Sequence, residues 1–231
     1  MIFSGLQKNS LIDYPGKISC VLFVSGCNFK CPYCHNPGLV TGNENRVFSE
    51  EEILSFLGKR VNLLDAVTVT GGEPTLHSDL GNFLGKVKQM GFLVKLDTNG
   101  SHPEKISEFK EKGLFDYIAM DIKTEPERYH EYVNAPKGIE TALRESIRII
   151  MELGNNYEFR TTCVKPFLSS EIIQKIGLII KGAPLWAFQK CNPEKVLDPD
   201  FFKEKDRLFS DKELDGFKKT ALNFVGRSLV R

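Results

Sequence analysis

The chain has 231 residues, of which 26% are charged, and its formal net charge is +1. This balance is typical of a globular protein and provides no basic field for nucleic acid or an anionic membrane surface. No apolar run approaches the ~20 residues of a membrane span, and the first residues lack the pattern of a signal peptide. We therefore expect a cytoplasmic protein, in which clustered cysteines stay reduced and bind metal or do redox chemistry.

Short apolar, β-branched runs alternate along the chain with stretches of helical periodicity. The predicted strands cover 18–25, 66–70, 92–97, 116–123, 157–164 and 184–190. One predicted helix begins near Ser49, and the others cover roughly 78–90, 103–112, 139–153, 169–181 and 211–224. Apolar strands alternating with helices indicate an α/β fold with a parallel sheet covered by helices, either a partial barrel or an open doubly wound sheet. We expect one domain over 1–231, with a core at about 16–192 and a helical extension over 193–231.

Polar groups unsuited to a core lie in or just after the predicted strands. They are the cysteine loop after the first strand, "GGEP" (71–74), "DTNG" (97–100), "DIK" (121–123), Arg160 and Gln189. The carboxyl ends of strands form the active face of parallel α/β folds. Each group alone is a weak signal, but their agreement predicts an active site at this edge.

Three cysteines, Cys27, Cys31 and Cys34, have the spacing C-x3-C-x2-C and no fourth partner nearby. Thiolates bind zinc and iron–sulfur clusters, and three cysteines hold three irons of a cubane while the fourth iron stays open. An open coordination position is typical of a catalytic metal site. Two alternatives remain, a zinc site that adds His35 and a set of buried core thiols. The position of His35 directly after Cys34 and the polar neighbours of the cysteines disfavour both.

The segment "GCNFKCPYCHNP", with "SLIDYPG" upstream, resembles the radical S-adenosylmethionine (SAM) superfamily. Within it the chain is most similar to activating enzymes of glycyl radical enzymes, especially activating proteins of the anaerobic ribonucleoside-triphosphate reductase. The resemblance covers about 10–192 and implies a partial (β/α)6 barrel of parallel strands with outer helices. It also implies a [4Fe-4S] cluster on the three cysteines, whose open iron binds SAM. Reductive cleavage of SAM then gives a 5′-deoxyadenosyl radical that abstracts hydrogen from the substrate.

The same resemblance implies roles for residues near the cofactor. Gly71 and Gly72 approach the methionine moiety closely, and Glu73 accepts a hydrogen bond from its amino group. Tyr33 contacts the adenine region, although ordinary packing is an alternative. Three further residues, Asp97, Thr98 and Asn99, contact the ribose or the backbone, and for Asn99 an Asx turn competes.

Four more residues belong to the predicted cofactor site. Lys123 suits the SAM carboxylate, but Asp121 and Lys123 also suit an internal ion pair. Arg160, in an otherwise apolar strand, requires a partner, which is either the SAM carboxylate or Asp121. Gln189 is predicted to face the same cavity.

The predicted function is therefore an oxidoreductase that makes a glycyl radical on a partner enzyme, the anaerobic ribonucleotide reductase. The chain has no second cysteine cluster, which implies an external one-electron donor such as flavodoxin or ferredoxin. The alternatives are activation of another glycyl radical enzyme, such as one of the pyruvate formate-lyase type, and a small-molecule reaction like that of 7-carboxy-7-deazaguanine synthase. A non-catalytic metal module is disfavoured, because it has no need of "GGEP" and the polar strand ends.

Overall fold

The computed structural model describes residues 1–41, 47–203 and 206–231. These residues form two compact units. The first unit contains Met1–Cys27, Gly38–Thr98 and Glu104–Ile118, and the second contains Asn28–Pro37, Asn99–Pro103 and Ala119–Arg231. No helix in the described part of the chain has the length and hydropathy needed to cross a membrane.

The first unit is built on a mostly parallel sheet. Its strands are β1 (Ile2–Phe3), β2 (Gly5–Ser10), β3 (Ser19–Val24), β4 (Phe48–Ser49), β5 (Ala66–Gly71) and β6 (Leu93–Thr98). Strands β3, β5 and β6 are parallel neighbours, β2 joins β3 antiparallel, and β1 pairs separately with β4. The next strand, β7 (Tyr117–Asp121), begins in this unit, where Asp116 N donates to Val94 O over 2.8 Å.

Helices α1 (Pro37–Thr41), α2 (Glu50–Gly58), α3 (Leu80–Gln89) and α4 (Pro103–Glu111) belong mainly to this unit. The start of α2 is a capping box, in which Ser49 Oγ accepts from Glu52 N and Glu52 accepts from Ser49 N. On α3 the buried residues are Leu80, Phe83, Leu84 and Val87, whose spacing of three and four residues forms one face. Burying such side chains contributes roughly 1.5–3 kcal/mol each to folding.

The second unit repeats the alternation of strand and helix. Its elements are α5 (Tyr129–Tyr132), α6 (Ile139–Met151), β8 (Tyr157–Cys163), α7 (Ser170–Ile179), β9 (Leu185–Lys190), α8 (Asp211–Ala221) and β10 (Arg227–Val230). Strands β8, β9 and β10 are parallel neighbours. The end of β7 lies in this unit, and Ile122 N after it donates to Arg160 O of β8 over 2.8 Å.

The six predicted strands are present as β3, β5, β6, β7, β8 and β9, and the predicted helices are α2, α3, α4, α6, α7 and α8. Strands β1, β2, β4 and β10 were not predicted. Two of them have only two residues, and β2 ("GLQKNS") is a largely exposed strand without an apolar face. The last strand, β10, forms from the tail "RSLVR", for which no element was predicted, because its parallel partner β9 lies far away in sequence.

Candidate active site

The cysteine loop continues from the end of β3. Cys27 is the last residue of the first segment of the first unit, whereas Cys31 and Cys34 lie in the second unit, within a segment without helix or strand. Cys31 is buried, and Cys27 and Cys34 are half-buried. None of the six cysteines, all of which are among the described residues, forms a disulfide. Within residues 1–41, 47–203 and 206–231, no three histidine, cysteine or carboxylate side chains group as a ready-made metal site.

In the second unit, backbone hydrogen bonds hold the cysteine loop at three points. Lys30 N donates to Val133 O over 2.8 Å, and Asp198 N donates to Pro32 O over 2.9 Å. Cys34 N also donates to Cys31 O over 3.0 Å, which closes a turn between these two cysteines. The loop is therefore ordered by contacts with other parts of its unit, without secondary structure of its own.

Tyr33, between Cys31 and Cys34, is buried. Its ring packs edge-on against Phe167, with centroids 4.9 Å apart, so the predicted packing alternative is realised. Burial raises the pKa of its hydroxyl well above the ordinary value. The hydroxyl finds no hydrogen-bond partner among the described residues. Because buried polar groups are normally paired, it is a group that a ligand can satisfy.

The glycines of "GGEP" approach the end of β3 closely. A Cβ on Gly72 would lie 1.9 Å from Gly26 O, and one on Gly71 would lie 2.5 Å from the backbone of Val24. Gly71 has a φ of +117°, which favours glycine. Glu73 N donates to Gly26 O over 2.8 Å. This turn therefore packs closely against Gly26 and hydrogen-bonds to it, and Gly26 is the residue immediately before Cys27.

Glu73 is 0% exposed and is the centre of a hydrogen-bonded group in the first unit. Its Oε1 accepts from Thr98 Oγ1 over 2.8 Å, from Thr75 N over 3.1 Å and from Thr75 Oγ1 over 2.6 Å. The structure thus brings together two predicted site residues that lie 25 positions apart. Thr75 was not predicted, although its position two residues after a strand-end glutamate is typical of a local cap.

Asp97, another predicted residue of the first unit, forms a buried ion pair with Lys95. The two residues lie two positions apart on β6, so their side chains share one face of the strand. Lys95 is 1% exposed. It was missed, although a lysine inside the apolar run "FLVKLD" is a signal, because lysine is rarely buried without a partner.

Asn99 lies in the second unit and forms the expected Asx turn. Its Oδ1 accepts from Ser101 N over 2.9 Å, and its Nδ2 donates to Asn28 Oδ1 over 2.9 Å. Asn28 belongs to the cysteine loop and was not among the predicted site residues. Both ends of the Asn99 amide are therefore hydrogen-bonded within this unit.

Asp121, Lys123 and Arg160 meet in the second unit. Arg160 Nε donates to Asp121 Oδ1 over 2.7 Å, and Lys123 Nζ lies 3.5 Å from Asp121 Oδ2. Burial lowers the pKa of Lys123, but the negative charges of Cys31 and Asp121 outweigh burial and hold that pKa well above its ordinary value. Lys123 therefore lies near the charges of Cys31 and Asp121, and Arg160 binds Asp121, so cationic donors of the kind that bind carboxylates are gathered in this unit.

Two residues complete the description of this unit. Tyr129, which was not predicted, is buried, and its hydroxyl accepts a hydrogen bond from Lys123 N over 2.8 Å. Gln189 is half-buried near the end of β9, opposite Thr162 of β8. Among the predicted site residues, Thr98 thus binds Glu73 in the first unit, and Lys123 and Arg160 lie at Asp121 in the second.

Comparison with known proteins gives one family match. Residues 21–173 match the model of the Radical SAM superfamily. A protein of Methanocaldococcus jannaschii named "Putative glycyl-radical enzyme activating enzyme" is 35% identical over 236 residues, which cover 100% of this chain and 95% of that protein. A 7-carboxy-7-deazaguanine synthase of Methanothermobacter thermautotrophicus is 30% identical over 123 residues, covering 53% of this chain and 47% of that protein.

Solved structures share the fold. A radical SAM methyltransferase from Sphaerobacter thermophilus superposes with a TM-score of 0.69 at 15% identity, over 94% of this chain and 67% of that one. SuiB of Streptococcus suis with bound S-adenosylmethionine gives a TM-score of 0.65 at 13% identity, over 91% of this chain and 51% of that one. The predicted α/β class, with parallel strands and outer helices, is confirmed.

Proposed function

The chain belongs to the radical SAM superfamily, and from this premise we propose that it activates a glycyl radical enzyme. It is an enzyme whose family implies SAM and a [4Fe-4S] cluster. The finer proposal is that it cleaves SAM reductively and uses the resulting radical to take hydrogen from a backbone glycine of a partner protein. Its similarity to the Methanocaldococcus jannaschii protein over the whole length of this chain supports this reaction.

The observation that carries the proposal is the contact between Gly72 and Gly26. The carbonyl of Gly26 occupies the space that any side chain at Gly72 would need. It also accepts the hydrogen bond from Glu73 N. Because Gly26 precedes Cys27, the predicted SAM-binding turn contacts the residue directly before the first predicted cluster ligand. A purely structural metal site does not require this contact between the "GGEP" turn and Gly26.

The residues present fit the implied groups. Three thiols outside any disulfide are the donor set of a cluster with one open iron, and the orphaned Tyr33 hydroxyl is a buried group that a ligand can satisfy. We propose Cys27, Cys31 and Cys34 as the cluster ligands. When bound, the cluster supplies the electron that cleaves the sulfonium of SAM.

The protein side chains then bind and orient SAM. We propose that Arg160 and Lys123 bind its carboxylate, because guanidinium and ammonium groups bind carboxylates and both already lie at the carboxylate of Asp121. Glu73 is proposed to accept from the amino group, which is a charge-assisted bond. The remaining proposed contacts are Gly71, Gly72, Tyr33, Asp97, Thr98, Asn99, Asp121 and Gln189.

The proposed partner is the anaerobic ribonucleoside-triphosphate reductase, because the segments "GCNFKCPYCHNP" and "SLIDYPG" resemble those of its activating proteins. An external one-electron donor such as flavodoxin or ferredoxin is part of the proposal, because the sequence has a single cysteine cluster. We expect this chemistry to take place in the cytoplasm, where thiols stay reduced.

A second candidate is a small-molecule reaction. The similarity to 7-carboxy-7-deazaguanine synthase favours it, but that similarity covers about half of each chain. In that case SAM is cleaved, and the radical is passed to a small substrate instead of a protein glycine.

Two measurements test the proposal. Anaerobic reconstitution is expected to give about four irons and four sulfides per chain. With reductant, the loaded protein should then convert SAM to 5′-deoxyadenosine. Stoichiometric zinc without cleavage of SAM would contradict the enzyme assignment.

The partner is identified by electron paramagnetic resonance. The loaded protein, SAM and reductant are incubated with each candidate glycyl radical enzyme, and a glycyl radical doublet identifies the target. The matched control is the same partner with its radical-bearing glycine replaced by alanine. Cleavage of SAM without a doublet on any partner would favour the small-molecule candidate.

A further inference from the structure

Four polar side chains of the second unit, Asn28, Asn99, Ser101 and His102, form a connected network that we call the Asn28 network. Asn28 Nδ2 donates to Ser101 Oγ over 2.9 Å, and Asn28 Oδ1 accepts from Asn99 Nδ2 over 2.9 Å. Ser101 Oγ also lies 2.9 Å from His102 Nδ1. A flipped Asn28 amide would face the Asn99 donor with its own donor, so the network permits a single orientation.

The turn that carries Asn99 and Ser101 is held in place by hydrogen bonds and packing of its own. Ser101 N donates to Asn99 Oδ1, and the buried Ser146 Oγ on α6 donates to Gly100 O over 2.7 Å. Gly100 has a φ of +77°, and a Cβ there would lie 2.2 Å from Met120 Cε. The turn is therefore closed by its own hydrogen bonds, by α6 and by tight packing.

Asn28, which hydrogen-bonds to Asn99 and Ser101 of this turn, lies in a segment that has no helix or strand. Ordering the residues of such a segment costs conformational entropy, which the contacts of the segment have to offset. The buried ring of Phe29, which packs against Tyr129, anchors this segment by apolar contact. Asn28 adds directional hydrogen bonds at the residue after Cys27, which apolar packing does not supply.

We propose that Asn28 is a positioning residue that fixes the loop carrying Cys31 and Cys34 before any metal is bound. This inference rests on the proposed function, in which Cys31 and Cys34 are cluster ligands. Its consequence is that the backbone carrying these two cysteines is ordered in advance, so that cluster assembly does not have to order the loop. Asn28 itself neither ligates the cluster nor contacts the reacting atoms.

The test begins with the metal-free full chain. Hydrogen exchange of residues 28–36 is followed by mass spectrometry in wild type, Asn28→Leu, Asn28→Asp and Lys30→Gln. Asn28→Leu keeps the volume and removes both hydrogen bonds, so exchange of this segment should rise about 30-fold, the product of roughly fivefold for each bond. Asn28→Asp retains an acceptor for Asn99 and for the Ser101 hydroxyl and should recover most of the protection. Lys30→Gln changes an exposed side chain of the same loop and should leave exchange as in wild type.

A second measurement uses the reconstituted protein. Asn28→Leu should retain less than half of the wild-type iron after gel filtration and show altered electron paramagnetic resonance of the reduced cluster, whereas Asn28→Asp should match wild type. Exchange and iron retention in Asn28→Leu that equal those of wild type overturn the proposal. Uptake of no iron by the wild-type protein overturns the proposed function, whereas the exchange result is read independently of iron.

Discussion

Arg160 donates from Nε to Oδ1 of Asp121 over 2.7 Å, although the two residues lie on different strands. The other carboxylate oxygen of Asp121 lies 3.5 Å from Lys123 Nζ. One carboxylate therefore lies within reach of two cationic side chains. Guanidinium and ammonium groups also bind carboxylates, and the carboxylate of SAM is the proposed ligand of this group.

Replacing Arg160 with methionine should weaken SAM binding to the cluster-loaded protein by about 10- to 100-fold, since a hydrogen bond to a charged group is worth ~1.5–3 kcal/mol. Equilibrium dialysis measures the dissociation constant. The control is Arg148→Met on α6, where the arginine pairs with Glu145 and Glu152 but is 60% exposed. An unchanged dissociation constant with a lowered melting temperature would mean that Arg160 only holds Asp121.

Gly72→Ala should disrupt the turn after β5, because its Cβ would lie 1.9 Å from Gly26 O, and a backbone carbonyl cannot rotate away like a side chain. We expect a loss of stability of roughly 1–3 kcal/mol or more, measured by urea denaturation.

The control is Gly85→Ala on α3, where the nearest atom to a new Cβ is Leu114 Cδ2 at 3.9 Å. This helical substitution should stabilise the protein by about 1 kcal/mol. A Gly72→Ala protein as stable as wild type would show that the close contact between Gly72 and Gly26 does not contribute to the free energy of unfolding.

Lys95→Met should destabilise the protein by roughly 3–5 kcal/mol, because it removes one partner of a buried ion pair and takes the charge of Lys95 away from the Asp97 carboxylate. The side chains of Lys95 and Asp97 are only 2% and 8% exposed, so water does not compensate. The double variant Lys95→Met, Asp97→Leu should recover most of the stability in urea denaturation.

SAM binding separates the two functions of this pair. The recovered double variant should still bind SAM less tightly than wild type, if Asp97 contacts the cofactor as proposed. Wild-type affinity in the double variant would restrict the pair to a structural role.

Cys27→Ala, Cys31→Ala and Cys34→Ala should each abolish iron binding, whereas Cys163→Ala should retain it. Burial raises the pKa of the Cys163 thiol to about 12. The thiol therefore stays protonated until the pH approaches 12, and iodoacetamide, which requires the thiolate, should not modify it in the folded protein at pH 8. Mass spectrometry of the alkylated, metal-free protein checks this. Loss of iron in Cys163→Ala would contradict the proposed ligand set.

Strands β3 and β5 to β9 could be predicted because each is an apolar, β-branched run bounded by turn residues. Strand β5 ("AVTVTG") is an example, since it stands between β3 and β6 and has to be apolar. Strand β10 was not predictable in this way. Its four residues become a strand by pairing with β9, and no local pattern records that pairing.

In the candidate site too, local motifs could be predicted from the sequence, whereas contacts between distant residues could not. The three cysteines Cys27, Cys31 and Cys34 lie within one short stretch of sequence, and the "GGEP" turn lies within another. Because each motif is local, the sequence by itself determined the family and the class of chemistry. The partners of Glu73, Asp121 and Asn28 depend on strand register and on which turns meet, and these are decided by packing over long sequence separations. Local chemistry is recorded in neighbouring residues, whereas hydrogen bonds such as that between Thr98 and Glu73 exist only once the strands are assembled.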